Sequence, residues 1–321
     1  MKKYIFLASA VVALAACSSN EEIEQFGKCE INLSSTLLVQ TRAAQDIQST
    51  EFDSGAKVDV FINENTDGEA SYKYLQPLTY IAGTGGSLTT ENTQYFPQNG
   101  NGVNIIGLYP SDLTTDIEDD AVAFSVKSDQ STDDNYKASD LMVGKPENGN
   151  PVARTTSSIA LQFKHCLSKI NVNILAGGGV SAEDIDGATV TIYTRTNDAT
   201  FDANREEDIV TAVESQGQAA SPFVTMGTLT PSGNGFEGLS AIIIPQNIQG
   251  GSQFITIRTT GQTPATYRYS IPADAAIQFE SGYAYTYNLT VTKSGLIVNG
   301  STISNWQEYG DVFNGEATPI P

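Results

Sequence analysis

Short β-type runs fill the chain, and no long helical pattern interrupts them. The early runs are "KCEINLSSTLLVQ" (28–40), "KVDVFI" (57–62), "SYKYLQPLTY" (71–80), "NGVNIIGLY" (101–109) and "AVAFSVK" (121–127). "LQFKHCLSKINVNI" (161–174), "ATVTIYT" (188–194), "FEGLSAIIIP" (236–245), "QFITIRTT" (253–260), "ATYRYSIP" (265–272) and "AYTYNLTVTK" (284–293) follow. Clusters of Gly, Asn, Asp and Pro separate them. Thr, Tyr, Ile and Val fill them, side chains that suit a pleated, half-buried surface. Turn signals recurring at about every ten residues point to sandwiches rather than to parallel βαβ units. The expected class is therefore all-β with few short helices. A helical turn or two is expected at "SAEDIDG" (181–187) or "SDLMVG" (139–144).

With 321 residues the chain can build two domains, each with its own core. A polar joint, "NPVARTTSS" (150–158), separates an N-terminal sandwich of about 28–155 from a C-terminal one of about 159–306. No internal repeat or low-complexity segment is visible, and "AGGGV" (176–180) reads as a turn.

The first residues set the compartment. Lys2 and Lys3 precede the apolar run "YIFLASAVVALAA" (4–16), which is too short to span a bilayer as a mature helix. "LAAC" (14–17) places small residues before Cys17, and "SSNEE" (18–22) is abruptly polar. The run resembles a lipoprotein signal, with residues 1–16 removed and Cys17 acylated on its thiol and its amine. Several acyl chains anchor firmly, at roughly 0.8 kcal/mol per buried CH2. A secreted protein cut near Ala16 is the alternative. The formal charge is −20, and loss of Lys2 and Lys3 takes it to −22. No basic stripe is present to displace counterions, so nucleic acid is not an expected partner. The acids are scattered, as in Asp119-Asp120, Asp133-Asp134 and Glu206-Glu207-Asp208, and read as a solvated surface.

Candidate chemistry is sparse. His165 is the single histidine, and Phe163, His165 and Leu167 share one strand face while Cys166 points to the other. A structural histidine is the better reading than a Cys-His pair. With Cys17 lipidated, Cys29 and Cys166 remain, either disulfide-bonded in an oxidising space or buried as thiols. One His and two Cys are too few for a zinc quartet. "NENTDGE" (63–69) starts like a calcium loop through Asn63, Asn65, Asp67 and Gly68, but Tyr74 stands where the closing acid belongs, so a hairpin loop is expected. "TGGS" (84–87) lacks the Lys-Ser/Thr of a phosphate loop. The 37 acids supply many carboxylate pairs and single out none. No cofactor, metal or catalytic residue is expected. The tyrosines sit inside the strand runs as core or cross-strand partners, or as an exposed sugar platform.

"LLVQTRAAQ" (37–45) alternates as a half-buried strand and then ends on Arg42 and two alanines. Together with the lipobox, "QYFPQNGNGVNIIGLYP" (94–110), "SDLMVGK" (139–145), "LQFKHCLSKINVNI" (161–174) and "QFESGYAYTYNLTVTKSGLIVNGSTISNW" (278–306), it resembles the fimbrillin-like proteins, subunits of type V pili. The resemblance implies two tandem transthyretin-like β-sandwiches and a non-enzymatic role in adhesion. It implies export to the outer membrane through lipidated Cys17, then display in a cell-surface fimbrium. An arginine-specific protease would cut between Arg42 and Ala43, and a strand of another pilus subunit would add in place of the one removed. The implied divisions are signal 1–16, propeptide with leaving strand 17–42, N-terminal sandwich 43–155, and C-terminal sandwich with tail 156–321. Residues 17–42 carry −2, so the matured subunit would carry −20. The tail after Trp306 lacks sustained alternation and makes a poor donor strand, which favours a tip or accessory subunit over a stalk one. The rivals are a tethered glycan-binding lipoprotein and a secreted hydrolase that uses a carboxylate pair.

Overall fold

The computed structural model describes residues 27–37, 51–66, 77–117, 121–214, 222–232, 235–236, 238–260 and 264–306. Up to residue 165 the order is β1 (Leu33–Leu37), β2 (Lys57–Glu64), β3 (Leu78–Ala82), β4 (Ser87–Thr89), β5 (Val103–Tyr109), β6 (Val122–Ser125), α1 (Asp133–Ala138), β7 (Met142–Pro146) and β8 (Ile159–His165). Then come β9 (Ser168–Ala176), α2 (Ala182–Ile185), β10 (Thr189–Tyr193), β11 (Asp198–Phe201), β12 (Val210–Ala212) and β13 (Phe223–Thr228). The short pieces β14 (Pro231–Ser232) and β15 (Gly235–Phe236) lead to β16 (Leu239–Ile243), β17 (Asn247–Ile248) and β18 (Gln253–Arg258). β19 (Thr266–Ser270), β20 (Ile277–Gln278), β21 (Tyr283–Thr292) and β22 (Gly295–Asn305) finish the described chain. The protein is all-β, with two short α-helices among the described residues.

Seven strands close on themselves in the order β1-β4-β3-β2-β5-β7-β8. Closure leaves no free strand edge in this layer. Its interior holds one apolar cluster, which includes Ile31, Leu33, Val58, Tyr80, Ile105 and Phe163. Every residue of β5 is buried. Ile105 points into the barrel, while Ile106 and Leu108 belong to a second cluster formed with the rest of the chain. Burial on both faces explains why Ile105, Ile106 and Leu108 follow without polar alternation.

The second cluster lies between two further sheets. One has the order β14-β15-β9-β21-β22 with β16 also on β9, and the other is β13-β10-β18-β19. Aromatic rings bridge them. Phe254 of β18 lies 5.3 Å from Tyr287 of β21 and 5.4 Å from Phe279, whose ring in turn lies 4.7 Å from Tyr285 of β21. Ladders also cross the joint expected near 150–158, because β6 pairs with β11 while β8 pairs with β1 and β7.

Two local readings need correction. The single long strand expected at 161–174 is two strands, since β8 ends at His165 in the barrel and β9 begins at Ser168 in the other layer. Cys166 and Leu167 at the break are buried, so burial is continuous where the sheet changes. The turn expected at 139–144 is the start of β7, whereas a helix forms earlier at Asp133–Ala138. Thr132 caps it by accepting from the Asn135 N–H at 3.4 Å, and Asp133 and Asp134 favour its N-terminal dipole. The turn expected at 181–187 contains α2.

Candidate functional site

β1 continues an extended segment that begins at Cys29. Cys29, Ile31, Leu33, Ser35 and Leu37 are buried, while Lys28, Glu30, Asn32 and Thr36 are exposed. This period of two lets one face fill the barrel while the other stays in water. Leu33 to Leu37 run parallel to Ile159 to Phe163 of β8, and Leu33 and Ser34 pair antiparallel with Leu88 and Ser87 of β4. Upstream, Ile31 N donates to Gln94 O at 2.8 Å, Phe96 N to Cys29 O at 2.9 Å, and Ile159 N to Asn32 O at 2.8 Å. Gly86, at φ +73, makes the closest approach: a Cβ there would stand 2.3 Å from Ser35 O. Only glycine fits both that space and that conformation.

The slot beneath β1 is shaped around Phe163. Its ring lies over Gly107 of β5 and Gly144 of β7, where an added Cβ would come within 2.5 and 2.6 Å of ring atoms. Phe52 meets the same ring edge-on at 4.9 Å, and Leu37 is the backbone partner of Phe163. Removing β1 would therefore uncover an apolar trough and the edges of β4 and β8. Burial of Ile31, Leu33 and Leu37 contributes on the order of 5–9 kcal/mol at ~1.5–3 kcal/mol each. Domain stabilities are about 5–15 kcal/mol in all. An empty slot would therefore cost about as much as the fold has to lose.

Cys17, Arg42 and Ala43 lie outside the described residues, as does most of "LLVQTRAAQ", of which Leu37 alone is described. Cys29 and Cys166 are both buried free thiols. Cys29 Sγ donates to Thr155 O at 3.2 Å, and Cys166 Sγ to Lys164 O at 3.4 Å. Burial pushes the Cys166 thiol up to about 12, which leaves it protonated and unreactive. His165 Nδ1 donates to Asp140 Oδ1 at 2.8 Å, both side chains being buried. Trp306 stacks on the imidazole at 3.9 Å, nearly parallel. This is a packed structural histidine.

Of the calcium-like stretch, Asn63 lies within β2, and Asn65 Nδ2 donates to Asn104 Oδ1 at 3.4 Å. Asp67, Gly68 and Tyr74 lie outside the described residues. No group of three metal-type ligands occurs among the described residues. Residues 84–86 form a short 3-10 turn with Gly85 and Gly86 at positive φ. The stacking of Trp306 on His165 and the docking of Phe163 on two glycines join residues from distant elements. Only the alternation around them was visible beforehand.

The fold and slot define a class, an all-β protein whose first described strand closes a barrel of later ones. The family model described as "Fimbrillin-like" matches residues 41–306, and the chain belongs to the fimbrillin-like family. A model for the prokaryotic membrane lipoprotein lipid attachment site matches residues 1–18. No curated protein matches. Among solved structures, a protein described as a cell adhesion protein from Bacteroides uniformis superposes with TM-score 0.61 at 22% identity, covering 86% of this chain and 99% of that one. A second, from Bacteroides ovatus, gives 0.61 at 19% identity over 89% and 99%. At these identities the likeness speaks to fold.

Proposed function

We propose that this protein is a subunit of a cell-surface pilus, exported as a lipoprotein on Cys17 and matured by cleavage between Arg42 and Ala43. In this reading residues 17–42 leave with β1, and a strand from a neighbouring subunit enters the slot. The observation that carries it is the alternating segment 29–37, whose buried side chains complete a barrel built otherwise from later strands. The free thiols favour the same reading, since no disulfide staples Cys29 to Cys166. Outer-membrane anchoring through Cys17, an arginine-specific protease and head-to-tail partners belong to this proposal, as does adhesion. So does a non-enzymatic role. Two tandem transthyretin-like units divided near residue 155 are part of it too: each apolar cluster would be the core of one unit, with β8 joining the barrel and β6 pairing with β11 across the division. A tip or accessory position accords with the backbone of β22, which is engaged by β21.

The test is the N-terminus of the protein taken from its own cell surface, by intact mass and a short N-terminal read. A start at Ala43 is expected, together with loss of assembly in Arg42→Ala. An acylated Cys17 as the sole form, with assembly unaffected in Arg42→Ala, overturns strand exchange. A tethered, glycan-binding lipoprotein then takes its place.

A further inference from the structure

The protein has 17 Lys and Arg against 37 acids, yet three of those cations line one cleft. Lys145 of β7 and Lys164 of β8 form its floor, and Arg205, on the loop from β11 to β12, stands in its wall. Lys145 pairs with Gln162 and Val143 with Lys164, which puts all four side chains on the outer face of the barrel. The cleft holds about 330 Å³.

The wall is built in advance. Lys145 Nζ donates to Asn204 O at 3.2 Å, to Arg205 O at 2.8 Å and to Glu206 Oε1 at 2.7 Å, which uses its three protons. Asn204 Nδ2 ties the same loop to Ile117 O at 2.8 Å. Lys145 therefore positions the loop and neutralises Glu206. The charged heads of Lys164 and Arg205 make no hydrogen bond or ion pair among the described residues. Glu147 is exposed at the rim. The cleft thus offers two uncommitted cations in a strongly acidic protein.

We infer that this cleft binds a carboxylate-bearing sugar unit of a glycan. The Arg205 guanidinium can take the carboxylate with two parallel hydrogen bonds, and Lys164 adds charge. The Gln162 amide both donates and accepts, as vicinal hydroxyls require. Ile209 covers an apolar ring face. The volume is at the small end of ligand pockets, which suits one sugar unit. An acidic peptide fits less well. β7 is bonded to β5 and β8, and β8 to β1 and β7, so no strand edge is open to a peptide backbone. The inference does not rest on strand exchange.

The full-length protein is titrated calorimetrically with N-acetylneuraminic acid and galacturonic acid, with galactose, inorganic phosphate and a hexaglutamate peptide as comparisons. R205Q and K164Q are the variants, and their melting temperatures are checked against wild type. Binding is expected for at least one acidic sugar, none for galactose, weakening with added salt, and at least tenfold loss in R205Q. No binding of either acidic sugar overturns the inference, as does equal binding of galactose or unchanged affinity in both variants. Tighter binding of phosphate makes this a general anion site, and tighter binding of the peptide makes it a protein-docking site. Either result also overturns it.

Discussion

β1 is five residues long and bonded on both sides, whereas β22 runs eleven residues and is bonded, among the described residues, to β21 alone. The inward residues Leu33 and Leu37 of β1 are buried, while Ile297 and Ile303 of β22 are about half exposed. β22 instead holds a ladder with β21 from Tyr283↔Asn305 to Thr292↔Gly295. Both strands are held by backbone and side chains, β1 by ladders on two sides and a buried face, β22 by one long ladder with Leu296 and Val298 packed against the core. If β1 leaves as proposed, its buried face sets the alternation that a replacement strand must match. The outward residues of β22, Ile297 and Ile303, are half exposed, so their identity matters little to the strand.

The largest expected effect breaks the first half of that comparison. Leu33→Ala combined with Leu37→Ala should lose on the order of 4–8 kcal/mol, at ~2–4 kcal/mol per buried leucine. Urea unfolding measures it, and a loss confined to the solvent-exposed range would mean that the side chains do not seat β1.

The next effect concerns the root of β22. Lys169, on β9, lies with Nζ 5.6 Å from the Trp306 ring. Burial lowers its pKa from 10.5 to about 8. Between pH 8 and 10.5 the unfolded chain holds this proton and the folded one does not, so this group makes stability rise with pH across that window. The slope is roughly 1.4 kcal/mol per unit, or on the order of 3 kcal/mol in all. Cys166 and the buried tyrosines act in the opposite direction at the upper end, because burial raises their pKa values. The quantity to follow is therefore the stability of wild type minus that of Lys169→Met, which should climb through the window. A flat difference would mean that the folded protein keeps the Lys169 proton through the window.

The smallest effect sharpens the second half. Ile297→Thr and Ile303→Thr should each change stability by no more than about 0.5 kcal/mol, as exposed positions do. A loss matching that of the leucine pair would erase the distinction between the two strands.

Much of the fold was legible from alternation. Residues 29–37 display a strict period of two because one face is in water, and β2, β5, β10, β18 and β21 appear close to where their runs predicted. The break at Cys166 and Leu167 was hidden because an uninterrupted buried run carries no signal of which sheet buries it. β11 (Asp198–Phe201) and β12 (Val210–Ala212) were missed because four and three residues are too few to establish a period. α1 escapes a reading of Asp133 and Asp134 as scattered surface charge, although Thr132 before two acids is a cap signal. Of the slot, the alternating occupant could be read. The glycines that admit Phe163 and Ser35 could not, since their role depends on neighbours far along the chain. The cationic cleft was equally hidden, because Lys145, Lys164 and Arg205 come from three separate elements.

The parallel course of β1 beside β8 has a consequence for time as well as shape. Any strand that takes the place of β1 and keeps its bonds must run with β8, because the reverse direction presents a different spacing of N–H and C=O groups. Successive subunits joined through such slots would all face the same way. The two ends of the assembly would then be chemically unlike, one offering an unfilled trough and the other a closed face. Elongation would be a one-way process, able to stop wherever a subunit arrives with nothing to hand on.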